Sequence, residues 1–225
     1  VQGDVSSLEK GQLTPDSIAT SPVLHLGSYH AAAVVHVDPK RPKDYTITLD
    51  PGATVQVRLV DAAGKPVEGV HIGAQSTWGL WTPPAKSADV EITQFNPDRP
   101  RAVMFLHTAR GLGKVLMPNK GDAGPWTVTL ERTATATGRL VTDDGTPVPN
   151  AVFRIHYRMP DRDTWTPSMI HEDVRTDAAG KFRVPHLVAG MTYSLDHAAD
   201  KGAGRQMRHY KHVKLKAGET KDSAT

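Results

Sequence analysis

The chain of 225 residues contains no cysteine. That excludes a disulfide framework, a thiolate metal centre and a cysteine nucleophile, and it leaves the redox compartment open. Long apolar runs are also missing. None exceeds five residues, as at 31–35, against about 20 residues for a membrane-spanning helix, so no membrane span is expected within the chain. No signal-peptide pattern is present, and the first residue is Val, so the chain reads as an excised or processed piece. Charge of one sign is scarce. With 27 basic and 24 acidic residues the net charge is +3, too small an excess to predict a nucleic-acid partner. The basic residues concentrate over 205–216, where alternation accounts for most of them. Val213 and Leu215 point inward; His212, Lys214 and Lys216 point to water, as on an edge strand guarded against pairing. Aromatics are only 6% of the chain, so each tryptophan must be accounted for separately.

What is present is a repeat. Residues 45–70 and 126–151 align without a gap at an offset of 81, and 11 of the 26 pairs are identical. Arg58/Arg139, Leu59/Leu140, Val60/Val141, Gly64/Gly145, Pro66/Pro147 and Val67/Val148 are among them. A period of this length is too long for a solenoid unit and suits a small domain. The 19 glycines and 17 prolines indicate many turns. Strand-length stretches of alternating or continuous apolar character recur at 46–49, 55–60 and 70–74, and again at 127–130, 138–141 and 151–157. In the last of these Ala151, Phe153, Ile155 and Tyr157 share one face. Predicted core residues are Leu59, Val60, Val70 and Ile72 in one copy. Leu140, Val141, Phe153, Ile155, Phe182, Val184 and Tyr193 are predicted in the other. Turns starting at Asp61, Asp143 and Asp177 each reach a glycine, at 64, 145 and 180, that supplies a positive φ. Helix signals are limited to one turn at 14–19, with Thr14 as cap and Pro15 at the first helical position.

Three blocks in the second copy then stand together: 138–151 (GRLVTDDGTPVPNA), 175–182 (RTDAAGKF) and 187–193 (LVAGMTY). They resemble the carboxypeptidase regulatory-like domain, and the array is similar to large multi-domain proteins of planctomycete-type bacteria. The resemblance implies an all-β chain of tandem prealbumin-like (transthyretin-like) Greek-key β-sandwiches. Residues 1–49 would be a partial or reshaped N-terminal module, with complete sandwiches at 50–131 and 132–225. The first copy carries only the opening block. No closing strand is evident after Lys216. Only Glu131, Arg132 and Thr133 separate one copy from the next, too few for a flexible coil, which predicts a stiff rod-like arrangement.

Candidate chemistry is sparse. The 11 histidines show no metal-ligand spacing, and scattered surface and strand histidines are the expected reading. Paired acids such as Asp161/Asp163 and Glu172/Asp173 sit in polar stretches and read as solvated loop residues. Intradiol ring-cleaving dioxygenases have a related opening motif, but their R-P-x-H-x-H block is missing: Pro185 and His186 are followed by Leu187 and Val188, and Tyr157 lacks partners. No catalytic residues, cofactor or metal are therefore predicted. The features with binding potential are Trp78, Trp81 and Trp165 in loops, which could offer flat faces to a sugar or peptide, or fold back over a sandwich edge. The function expected is a non-enzymatic structural or adhesive array, extracytoplasmic, spacing or presenting other domains of a parent protein in the cell envelope or secreted. The alternatives are a carbohydrate- or peptide-binding module using these Trp-bearing loops and, with two of its four ligands missing, an intradiol dioxygenase-like iron enzyme.

Overall fold

The structure is a computed structural model that describes residues 52–73, 82–98, 100–161, 165–171, 174–201 and 204–222. The N-terminal module at 1–49 and the helical turn at 14–19 lie outside the described residues. What is described is almost entirely strand. Alternation decides the first of these, β1 (Ala53–Val60). Val55, Val57 and Leu59 are buried. Their neighbours Gln56 and Arg58 face water and engage Glu91 and Asp89 across to β3 (Asp89–Phe95) at 2.9 and 3.1 Å. Such exposed pairs contribute about 0–1 kcal/mol; the buried face holds the strand.

The remaining strands of the first half are β2 (His71–Gly73), β4 (Val103–His107), β5 (Leu112–Leu116), β6 (Trp126–Thr129) and β7 (Glu131–Arg132). One sheet runs β3-β1-β6 and the other β2-β4-β5-β7. Between them Leu59, Val70, Ile72, Ile92, Phe95, Phe105 and Leu130 are buried in one core. The second half supplies β8 (Ala134–Arg139), β9 (Val152–Arg158), β10 (Thr166–Pro167), β11 (Val174–Arg175), β12 (Lys181–Leu187), β13 (Thr192–Lys201), β14 (Gly204–Lys214) and β15 (Thr220–Asp222). Its sheets run β12-β8-β15 and β10-β9-β13-β14, with β11 also on β9. The order is that of the first half: β1 and β8 each lie between an antiparallel and a parallel neighbour, and β6 and β15 are the parallel ones. The fold is all-β, two sandwiches in tandem.

Three sequence expectations need correction. The closing strand exists: β15 pairs in parallel with β8, Thr220 opposite Thr135. It was hidden because its residues, Thr-Lys-Asp, are all exposed. Second, the turn of the second copy begins at Thr142 rather than Asp143. The Gly145 amide donates to the Thr142 carbonyl, and Asp144 engages the Thr142 hydroxyl and the Thr146 amide. Third, Val141 is only partly buried and stands outside the core, where it forms an isolated bridge with Pro147. Leu140, Phe153, Ile155, Val184 and Tyr193 are buried as read, with Phe182 packed against them.

The join between the sandwiches has no linker. Glu131 and Arg132 are a strand on β5, and the Thr133 amide donates to the Gly111 carbonyl before β8 begins. β4 is buried on both sides. Val103 and Phe105 face the first core, while Ala102, Met104 and Leu106 belong to the core of the second sandwich. On β5 a Cβ added to Gly113 would lie 2.8 Å from Val188 Cγ2, so the second sandwich sits directly on that backbone. The Ala102 amide also donates to Asp161 Oδ2 at 2.9 Å.

Candidate functional site

Of the predicted binding tryptophans, Trp78 and Trp81 lie outside the described residues. Trp165 immediately precedes β10 and is half-buried. The strand pairing sets out the surface beneath it. Across β9, β13 and β14, Arg158, Thr192 and Lys214 form one row, and His156, Ser194 and His212 the next. Period-two alternation puts both rows on the outer face of the sheet, opposite Tyr157, Tyr193 and Val213 in the core. The Trp165 ring centroid is 4.7 Å from that of His212, with the planes 33° apart. The Arg158 guanidinium carbon is 5.4 Å from the same ring. Arg158 is on β9 and His212 on β14, so the indole lies across β13 between them. The outward Thr192 and Ser194 of the same rows are buried.

An indole steadied by a guanidinium and an imidazole gains cation–π and stacking attraction. It is partly covered by its own sheet and partly open. Arg158 and His212 went unnoticed in the sequence as its partners; only the alternation over 152–158 and 212–215 hinted that they share a face. Trp126 is a packing residue: it is buried, its ring meets Phe95 edge-on at 5.0 Å, and its indole N–H donates to Asp122. That bond lowers the pKa of the Asp122 carboxyl.

A hydroxyl–imidazole pair occurs at Ser168 and His171, 2.6 Å apart, which the sequence reading of scattered surface histidines missed. His171 ends a single 3-10 turn and is 6% exposed, as is Ser168. The His171 Nε2–H donates to the Pro185 carbonyl at 2.8 Å, which leaves Nδ1 to accept from the serine hydroxyl. Burial lowers the His171 pKa to about 4, so the ring is neutral. With both partners enclosed, no substrate carbonyl can reach the hydroxyl; the pair closes the hydrogen-bonding of an interior turn. Among the described residues no three or more His, Asp or Glu side chains gather as a metal site. Tyr157, the phenol that a dioxygenase-like iron site would need, is 1% exposed within an apolar core. Among the described residues no helix is long and apolar enough to cross a membrane.

No family model and no curated relative matches the chain. Among solved structures, the minor pilin of Streptococcus agalactiae aligns at 11% identity and a TM-score of 0.33, over 77% of this chain and 94% of the pilin. A shaft pilin of Lactobacillus rhamnosus GG aligns at 12% identity and a TM-score of 0.29, over 76% of this chain and 95% of its own. The Bacillus anthracis TIE protein aligns at 15% identity and a TM-score of 0.30, and the aligned part spans 33% of that protein. Function does not transfer at such levels of likeness, so the functional reading rests on this chain's own geometry.

Proposed function

We propose that residues 53–222 are two copies of one carboxypeptidase regulatory-like module in a non-enzymatic, structural or adhesive array. The array spaces or presents other domains of a larger cell-envelope or secreted protein. The observation that supports this is the join. A spacer has to carry orientation from one end to the other, and here strand β7 runs on into β8 while Met104 and Leu106 of the first sandwich pack in the core of the second. A joint held by buried side chains on both sides does not swivel. Backbone nitrogen relaxation of the full chain tests this. The amides of β1–β6 and of β8–β15 are expected to report one common rotational correlation time. Two distinct times would mean independent modules and would remove the basis for the spacer role.

A second reading is favoured by the placement of Trp165: a sugar- or peptide-binding face formed by Trp165, Arg158 and His212, to which Trp78 and Trp81 would add. Trp165→Ala is expected to abolish binding in a glycan or peptide array probed with the full chain, with little loss of thermal stability. An array that returns no ligand for the wild type, or the same ligand for Trp165→Ala, would leave the indole as a cover over β13.

A further inference from the structure

The join also carries a cleft, of about 540 Å³, that the spacer role does not use. Its walls come from both sandwiches. Arg110 lies in the turn between β4 and β5, Arg132 ends β7, Thr133 and Thr135 flank the start of β8, and Arg183 and His186 lie on β12. Among the described residues, no Asp or Glu lines it. The nearby acids are otherwise placed. Asp61 holds Arg110 at 2.8 Å, Glu131 engages Lys114, and the Glu219 carboxylate accepts the Lys216 amide. Asp222 pairs with Thr137, opposite Arg183 in the sheet. Among the described residues Arg132 and Arg183 make no ion pair, and the one side-chain contact of Arg183 is a long hydrogen bond of 3.4 Å to Thr135. Two guanidiniums and a half-engaged third thus converge on one concave surface with no carboxylate on its wall.

His186 adds to this. It adopts φ 62, a left-handed conformation in a residue that has a Cβ, at the irregularity where β12 leaves its register with β8. Such strain persists only where surrounding structure holds it, and bulges re-aim side chains. Its Nδ1 is buried without a hydrogen-bond partner. Burial and the nearby Arg183 hold its imidazole below the ordinary histidine pKa.

We infer that this cleft binds the sulfate or carboxylate group of an anionic glycan, bridging the two sandwiches. Guanidinium forks take planar or tetrahedral oxyanions in paired, charge-assisted hydrogen bonds. The rest of the wall suits a sugar better than an acidic peptide. The Thr133 hydroxyl donates to the Gly111 carbonyl and the Thr135 hydroxyl accepts from Arg183, so each retains hydrogen-bonding capacity for ring hydroxyls. A bare inorganic anion would leave most of the volume unfilled.

The test uses the full chain and isothermal titration with four probes: a sulfated tetrasaccharide of alternating uronate and glucosamine, neutral chitotetraose, inorganic sulfate and a tetraglutamate peptide. The sulfated tetrasaccharide is expected to bind, to weaken steeply between about 50 and 300 mM salt, and to lose about tenfold or more in R132Q/R183Q. Amide and imidazole resonances of the wild type provide a readout independent of any variant. Addition of the tetrasaccharide should shift Thr133, Thr135 and His186, with the imidazole pKa of His186 rising as the anion arrives. Undiminished affinity in R132Q/R183Q, or shifts confined to residues 205–216, would overturn the site. Equal binding of inorganic sulfate or of tetraglutamate would overturn the assignment to a glycan. Absence of binding by the sulfated tetrasaccharide to the wild type would overturn the proposal altogether.

Discussion

His171 is the residue whose environment departs furthest from what its sequence neighbourhood suggests. Flanked by Met169, Ile170 and two acids, it reads as a loop histidine, yet its ring is enclosed between the Ser168 hydroxyl and the Pro185 carbonyl. Its pKa falls from 6.5 to about 4 because burial penalises the charged form. In the unfolded chain the ring takes up a proton as pH falls below about 6.5; in the folded protein it does not. The unfolded state therefore binds more protons across the window from about 6.5 to 4, and stability drops as pH falls through it. The full effect is about 3 kcal/mol, reached near the folded pKa. Denaturant unfolding at pH 7, 5.5 and 4.5 checks this, with His171→Gln as the comparison. The wild type should lose stability over this range more steeply than the variant, and parallel losses would show that His171 is not the titrating group. Other interior polar groups were equally illegible beforehand. The Tyr193 hydroxyl accepts the Val188 amide at 2.7 Å and donates to the Val188 carbonyl at 3.2 Å, and Thr176 bridges Ala151 and Val148. Nothing in composition or periodicity distinguishes these from surface threonines and core tyrosines, because the partner in each case is a backbone group fixed only by the fold.

At the scale of elements, legibility followed burial. β1 and β9 bury one face and alternate, so both were readable. β15 buries nothing and pairs in parallel with β8, so no hydrophobic pattern marks it. The glycine turns were readable in kind but not in weight. Gly64 and Gly180 close equivalent turns, each at φ +74 and each followed by a lysine whose amide bonds to the turn's aspartate. Around Gly64 an added Cβ meets nothing within 4 Å, while at Gly180 it would stand 2.4 Å from the Leu140 carbonyl oxygen. Gly64→Ala then carries only the strain of a left-handed alanine, about 1 kcal/mol. Gly180→Ala carries that strain plus displacement of the β8–β12 pairing, about 3 kcal/mol or more. Thermal unfolding of the two variants should separate them clearly. Equal midpoints would mean that the backbone at 180 yields without cost.

For the molecule as a whole, the repeat suggests two units but conceals that one strand, β4, serves two cores. Every residue of the run from Ala102 to Leu106 is buried. Such an unbroken apolar stretch is what a strand covered on both faces requires, yet the same stretch suits an ordinary sandwich strand, and the sequence cannot say what lies on the far side. The structure places Met104 and Leu106 in the second core, with Val115 packed beside them. The consequence is thermodynamic. If the units were independent, removing a buried leucine from the first would weaken the first alone. Here Leu106 is counted among the second sandwich's core residues although its strand belongs to the first, so Leu106→Ala opens a cavity between the two. The cost is about 2–5 kcal/mol, and it falls on both. Differential scanning calorimetry is expected to show residues 53–222 unfolding in a single transition in the wild type. In Leu106→Ala that transition should move down as one, with amide-exchange protection falling in β1 and β8 together. Two resolved transitions in the wild type, or loss of protection confined to strands β1–β6 in the variant, would mean that the interface is a contact between separate folding units.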